Sequence, residues 1–521
     1  MLQLSGIAAN QSDIRRKMQA LIGKESTEAF YQSWLTNFCI RADIDSLAAW
    51  GFNSVRLPMH YNLFTVPVEE EKTPGQNTWL EKGFQLTDSL LRWCEANQIY
   101  LILDLHAAPG GQGHDVPISD YDTTKASLWQ SEANRQKTIA LWEKLAERYA
   151  HEPWIGGYDL LNETNWGFQD ANDKNGCAEK ENAPLRKLLV DITTAIRHAD
   201  KNHLIIIEGN CWGNNYSGVF PLWDANMAVS FHKYWNNTDK ASIQNFLDIR
   251  HQQNAPIWMG ESGENSNVWF RNNIALLEEN NIGWCWWPLK KMGVNNPLQI
   301  ATNEGYESIK KYWKGEGEKP TAENANQAFM QLAEATRIDK NLFHPDVIDA
   351  MFRQVHSTKA VAFTQQTISG NTTIPAVDFD LGRNGFAYYA LDSANLWVST
   401  GERTSWNKGG AYRNDAVDIF FDNQVFVDGV KAGEWLQYTR TVSAAGKYKV
   451  KLHLRNAGPS ARVTLSVNNK YRLQPAALIT GTGWHELLLG TVNLPAGENL
   501  FRLQVPEGVC DIQSLILEKT K

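Results

Sequence analysis

The sequence predicts an α/β protein, a (β/α)8 TIM barrel followed by an all-β sandwich. Between residues 51 and 290, helical and strand-like segments alternate, and the strands are apolar along their whole length. That is the pattern of a parallel sheet covered on both faces. Polar side chains collect at the C-terminal ends of those strands all round the series, which favours a closed barrel over an open doubly wound sheet. From about residue 374 the texture turns all β, with short alternating strands broken by turns such as AAG, NNK and PAGEN.

Residues 11–50 read as helices, because DIRRKMQALIG, TEAFYQSWLTNF and 43–50 carry apolar residues at three- and four-residue spacing. The strand 52–57 follows, β-branched at its centre, stopped by Pro58 and delivering Arg56. A helix near 80–97 leads to IYLILDLH, which ends at His106; a helix near 130–150 leads to GGYDLLNE, which ends at Asn162 and Glu163. A helix near 184–200 precedes HLIIIEG, and MAVSFHKY brings His232 and Tyr234. After a helix near 241–252, PIWMGE delivers Glu261; after another near 267–280, NIGWCWWPLK delivers Trp287.

These are seven strands where a barrel needs eight. MLQLSGI at the N-terminus is the candidate for the first. Either it fills the gap, or the chain begins after the true first strand and lacks an upstream portion, including any export signal. GEGEKP then breaks the alternation, and helices near 322–337 and 345–356 follow, the second opened by HPD. The expected organisation is a barrel over 1–315, a helical extension and linker over 316–373, and a sandwich over 374–521.

With 521 residues, 43% hydrophobic and 21% charged, the chain has ordinary globular composition and room for two or three domains. A formal charge of −8 without basic blocks excludes nucleic acid as the main partner. No stretch approaches the roughly 18 apolar residues that span a bilayer, so no membrane partner is expected, and MLQLSGIAANQSDIRRK lacks the features of a signal peptide. Tryptophan is the outlier: 21 residues, many beside Gly, Asn or Asp in loops, exceed what core packing demands. They supply flat apolar faces with one polar handle, on which sugar rings stack. Cys39, Cys94, Cys177, Cys211, Cys285 and Cys510 show no metal-ligand spacing, so buried free thiols are expected, with a disulfide left open.

A single strand-end glutamate is more often a cap or an ion-pair residue than a catalyst. Glu163 and Glu261 have company, since Arg56, His106, Asn162, His232, Tyr234 and Trp287 all close neighbouring strands. Together they make a glycoside-hydrolysing set, with no cofactor and no metal expected. A nucleophilic carboxylate needs a hydrogen-bonded, electropositive setting to stay ionised, which Arg56 and Tyr234 can supply. An acid must hold its proton near neutral pH, which burial and an adjacent carboxylate arrange. Carboxyls about 5–5.5 Å apart retain anomeric configuration, and a wider pair inverts it. His114, Asp115, Trp129, Trp166, Trp212 and Trp235 lie in the loops, where substrate contact and plain packing are both open.

At these residues the chain resembles glycoside hydrolase family 5. NSVRLP, DLHAAPGGQ, DLLNE, FHKY, GE and GWCWW match in order over about residues 27–313. The resemblance implies a retaining double displacement with Glu163 as acid/base and Glu261 as nucleophile. It further implies Asn162 on the reacting sugar's 2-hydroxyl, Arg56 and Tyr234 holding the nucleophile, His106 and His232 in the same subsite and Trp287 as its floor. The HAAPGGQ variant is most similar to the branch containing exo-acting β-1,3-glucanases, so a β-1,3-linked glucan is the expected substrate. An endo-β-1,4-glucanase of the same family, or a glycan-binding protein with a truncated inactive barrel, are the alternatives. Members usually open with a G-x-N-L-G-G-W-L-type strand, and nothing of that kind follows Met1.

The C-terminal region resembles carbohydrate-binding module family 6, on DFDLGRNGFAYY, GGAYRNDAVDI, AGEWLQYTRTVSAAGKY, GTGWHELLLGTVNLPAG and DIQSLIL. That implies a sugar clamped between Tyr412 and Trp484, with Asp511 where an asparagine is usual, which keeps an acceptor and removes a donor. Trp435 is expected in the core. Pro375 and Val377 stand where the family's calcium-binding glutamates would be. An extracellular or periplasmic location is implied by the families.

Overall fold

The computed structural model describes residues 10–170, 172–392, 407–456, 458–475 and 482–520. Seven parallel strands pair in chain order: β1 (Ser54–His60), β2 (Tyr100–Ala107), β3 (Ile155–Asp159), β4 (Ile205–Ile207), β5 (Met227–Lys233), β6 (Ile257–Ser262) and β7 (Gly283–Trp284). In a flat sheet β1 and β6 would stand about 24 Å apart, at about 4.8 Å per strand. Arg56 of β1 nevertheless lies 2.6 Å from Glu261 of β6, so the sheet is curled as in a barrel. MLQLSGI, the segment expected to supply an eighth strand, lies outside the described residues.

Strand parity decides what faces where. Leu101, Leu103 and Leu105 of β2, Ile205 and Ile207 of β4 and Met259 of β6 turn outward into one large apolar cluster with the surrounding helices, among them Glu81–Ala96, Glu132–Tyr149 and Ala183–Ala199. The alternate residues turn inward. Ile102, Ile206 and Ala228 form a small apolar plug with Leu204 and Trp258, and two residues further along β2 stands Asp104. The interior is therefore apolar at the bottom and charged at the C-terminal rim.

Helices Gln11–Ile22 and Lys24–Asn37 pack with Glu304–Lys314 and Ala322–Ala335 around Met18, Phe30, Tyr306 and Phe329. The remainder is β. One sheet runs from Trp435–Val442 through Gly497–Glu507 to Arg462–Val467; the other runs from Gln424–Lys431 through Val509–Lys519 and Gly446–Asn456 to His485–Leu494. Their facing sides share a core that includes Tyr438, Leu452, Phe501 and Leu515. Trp435 departs from the expected core position: it is half-buried, with the Arg502 guanidinium 4.1 Å above its ring.

Four of the six thiols are free as expected, and the disulfide left open by the sequence joins the other two. Cys177 and Cys211 form a disulfide, while Cys39, Cys94, Cys285 and Cys510 are free. The paired cysteines lie in loops after β3 and after β4, outside the apolar segments that shelter a free thiol.

Candidate active site

Arg56 is the hub of the charged rim, with a side chain only 3% exposed. Its guanidinium donates to Asp159 at 2.9 Å, Glu208 at 2.9 Å, Glu261 at 2.6 Å and the Asn162 side-chain oxygen at 2.9 Å, and lies 3.2 Å from Asp104. A fully buried cation could not persist without such partners.

Glu261 is held on both oxygens, by Arg56 on Oε1 and by the Tyr234 hydroxyl on Oε2 at 2.9 Å. His232 places Nδ1 2.6 Å from Glu163 and 3.6 Å from Glu261, with Nε2 3.1 Å from Glu208. His106 sits 2.9 Å from Asp104 and 3.8 Å from Glu261, and its ring lies nearly parallel to Trp287, 6° apart with centroids at 5.2 Å. Asn162 spends its oxygen on Arg56 and keeps a buried amide nitrogen without a partner. All eight residues expected from sequence thus converge on one rim.

Three further acids, which the sequence reading does not single out, complete the cluster: Asp104, Asp159 and Glu208. Glu208 accepts the Glu163 backbone N–H at 2.7 Å, and Glu163 needs holding, because its φ of 43° is left-handed. That conformation costs about 1–2 kcal/mol for a residue with a side chain. Glu208 ends HLIIIEG with the same apolar-run-then-acid grammar as the other two glutamates, so a signal for it is present in the sequence.

Electrostatics separate Glu163 from Glu261. Burial raises the Glu163 carboxyl, and His232 only partly offsets it, leaving it above the ordinary glutamate value. Burial also acts on Glu261, but His232, Arg56 and His106 together outweigh it and leave that carboxyl lowered. Glu208, buried yet facing His232 and Arg56, is lowered to about 2. His232, despite burial, is raised well above the usual imidazole range by Glu208, Glu261 and Glu163. Two carboxyls pushed in opposite directions can serve as a proton donor and an anion in one site.

One potential ligand atom from each of Glu163, His232 and Glu261 lies within 4.8 Å of the others, the arrangement among the described residues that could hold a metal ion. The same distance describes two carboxyls close enough to act on one carbon.

The loops add aromatic surface beside Glu163. Trp166 stacks on His114 with centroids 4.0 Å apart, and the Trp212 indole donates to Asp115 at 3.3 Å. Trp129 packs edge-on against Phe168, whereas Trp235 is 46% exposed beside Tyr234.

In the sandwich the expected clamp residues lie in different surroundings. Tyr412 donates its hydroxyl to Asp378 and neighbours Phe363. Trp484 packs on Phe426 and His453 under Arg455, which pairs at 2.6 Å with Asp511. Among the described residues no hydrogen bond or ring contact joins Tyr412 to Trp484.

The family model described as cellulase, glycosyl hydrolase family 5, matches residues 14–293. A beta-xylosidase of Phanerodontia chrysosporium is 30% identical over 234 residues, 44% of this chain and 45% of that protein. Endoglucanase C of Acetivibrio thermocellus is 23% identical over 327 residues, 51% of this chain and 88% of the relative. A probable glucan 1,3-beta-glucosidase A of Aspergillus niger is 29% identical over 152 residues, 28% and 32% of the two chains. The chain thus spans less than half the length of the first and third of these.

Proposed function

The chain belongs to glycosyl hydrolase family 5, and on that premise we propose that it is a retaining β-glucan hydrolase acting on β-1,3-linked glucan. The observation that carries this is the geometry of the two glutamates: one oxygen of each lies within 4.8 Å of the other, and Glu261 is held on both oxygens by Arg56 and Tyr234. That is the close approach that a nucleophile and an acid/base need to act on one anomeric carbon. Glu261, ionised and clamped by Arg56 and Tyr234, attacks the anomeric carbon. Glu163, keeping its proton, gives it to the departing oxygen. The glycosyl-enzyme is then hydrolysed by a water that Glu163 deprotonates, and the two inversions restore the starting configuration. The unpartnered Asn162 amide faces this work as a donor for a sugar hydroxyl, and the Trp287 ring, backed by His106, is the floor.

The glucan 1,3-beta-glucosidase among the relatives supports the β-1,3 linkage. An endo-β-1,4-glucanase is the second reading, favoured by the long match to endoglucanase C, and the beta-xylosidase brings xylosides into the test. The sandwich is proposed as a family 6 carbohydrate-binding module that holds polymer through Trp484, Tyr412 and Asp511. The Cys177–Cys211 disulfide supports an extracellular or periplasmic location, since such bonds persist in oxidising compartments. No helix among the described residues is long and apolar enough to cross a membrane.

The deciding experiment offers laminarin, barley glucan, carboxymethylcellulose, mannan and xylan to the full chain and follows the first-formed anomer by proton NMR. Early β-glucose from laminarin is the expected result. Oligomer ladders from the β-1,4 polymer alone would replace it with the second reading, an α-anomer first would sink retention, and glycan binding with no hydrolysis would leave a binding protein.

A further inference from the structure

The turn that follows the nucleophile strand is held partly from outside the barrel. Between Glu261 and the helix Asn267–Glu279 the chain passes through Gly263 at φ 142° and Glu264 at φ 51°. A side chain at Gly263 would place its Cβ 2.3 Å from the Trp287 carbonyl oxygen. Glu264 is a poor residue for left-handed backbone, and such geometry persists only where neighbours over-determine it.

The neighbours come from two sides. Within the barrel the Trp287 N–H donates to the Ser262 carbonyl at 2.7 Å, and the Asn265 side-chain amide donates to the Tyr234 carbonyl at 3.2 Å. From the sandwich, the Asn414 side-chain amide donates to the Asn265 carbonyl and to the Asn267 side-chain oxygen, each at 2.9 Å. The Asn414 carbonyl accepts the Asn267 N–H at 3.1 Å. Behind it, Asp346 of the helical extension accepts from the Asn414 N–H at 2.7 Å and from the Asn267 amide at 2.8 Å. Asn267 also reaches Asp415 at 3.2 Å, and Arg413 closes on Asp415 at 2.9 and 2.7 Å. Asn265, Asn267, Asp346, Arg413, Asn414 and Asp415 are each 2% exposed or less. Polar groups buried this completely specify one docking geometry, because any shift would leave them unpaired.

We propose that the sandwich is a positioning part of the active site, with Asn414 fixing the 263–267 turn and, through Asn265 and Tyr234, fixing Glu261. The path is contiguous: Asn414 to the Asn265 carbonyl, the Asn265 amide to the Tyr234 carbonyl, and the Tyr234 hydroxyl to Glu261 at 2.9 Å. Asn414 touches no substrate and acts through other residues. The inference rests on the reading of Glu261 as nucleophile and goes beyond a tether. A tether concentrates polymer near the barrel and leaves turnover of a small soluble substrate unchanged; a positioning element alters that turnover as well.

Full-length Asn414→Ala, Asn265→Ser and Tyr234→Phe, singly and in pairs, are assayed on 4-nitrophenyl β-glucoside, which is too small to bridge barrel and sandwich. Asn414→Ala should lower kcat about tenfold while KM stays within about twofold. The acidic limb of its pH profile should move upward, since a Glu261 carboxylate with a weakened donor takes up its proton more readily. In the Tyr234→Phe background the path is already cut, so the Asn414→Ala loss should shrink below about threefold. Equal losses in both backgrounds, or an unchanged kcat and limb in folded Asn414→Ala, overturn the proposal. Asn265→Ser cuts the same path from the barrel side and decides the same question if Asn414→Ala does not fold. Wild-type protein inactive on every glycoside would sink the functional reading alone. The titration of Glu261, followed by NMR of 13C-labelled glutamate and assigned with Glu261→Gln, still rises in the variants if the path exists and stays put if it does not.

Discussion

Glu208 receives the Glu163 N–H, an Arg56 N–H and the His232 ring in a fully buried position. Glu208→Gln keeps the shape and removes the charge. Two consequences share one sign. The Glu163 carboxyl loses a repelling neighbour and releases its proton more readily, and His232 loses one of the anions that hold it protonated. The basic limb of the pH–rate profile should therefore move to lower pH, with kcat down by about 100-fold, the scale of a displaced catalytic group. A basic limb unchanged in the folded variant would refute this role. The wild-type profile itself should be a bell, its acidic limb set by a lowered Glu261 and its basic limb by a raised Glu163. Glu163 and Glu261 are legible in the sequence because each follows an apolar run with polar neighbours at the strand end. Glu208 carries the same mark, yet its role is hidden there. Its meaning lies in three donors from β1, β5 and the loop after β3 converging on it, and convergence has no signature along the chain.

At the scale of elements, the strands are legible because apolar residues fill both faces, yet their ends are not. The run HLIIIEG yields only three paired residues in β4, and GWCWW only two in β7. Asp104 and Asp159 look like blemishes in apolar strands until parity turns them inward. The disulfide is out of reach for a related reason: Cys177 and Cys211 are 34 residues apart, and only the meeting of two loops joins them. That bond ties the loop after β3 to the left-handed pair Cys211 and Trp212, at φ 54° each. Trp212 in turn donates its N–H to the Thr164 carbonyl at 3.1 Å, next to Glu163, the proposed acid/base. Reduction, or Cys177→Ser with Cys211→Ser, should cost about 2–4 kcal/mol of stability. It should also raise KM for oligosaccharides long enough to pass Glu163, more than for 4-nitrophenyl β-glucoside. Equal KM changes on both substrates would place Trp212 away from the sugar path.

For the whole molecule, the change of texture near residue 315 marks where the alternating pattern stops, but not how the parts dock. Asn265, Asn267, Asp346 and Asn414 read as ordinary loop and helix-start residues, because polar side chains give no hint that a partner surface will bury them. Their burial makes the junction sensitive to pH, in the direction opposite to Glu208. Burial lifts Asp415 from its ordinary 3.8 to about 6, against the opposing pull of Arg413 and with Asp346 adding to the rise. A carboxyl raised in the folded state contributes stability that is full below its unfolded value and is lost as pH climbs through its folded value. Glu208, lowered from 4.5 to about 2, does the reverse: its contribution is present above 4.5 and is lost as pH falls toward 2. Melting temperature measured from pH 2 to 8 should therefore decline on both sides of the mildly acidic range, for separate reasons. Asp415→Asn, which mimics the protonated carboxyl beside Arg413 and Asn267, should flatten the decline between pH 3.8 and about 6 and leave the acid side alone. Glu208→Gln should flatten the acid side only. If Asp415→Asn left the slope above pH 3.8 as steep as in wild type, the junction carboxyls would not be the groups that titrate there.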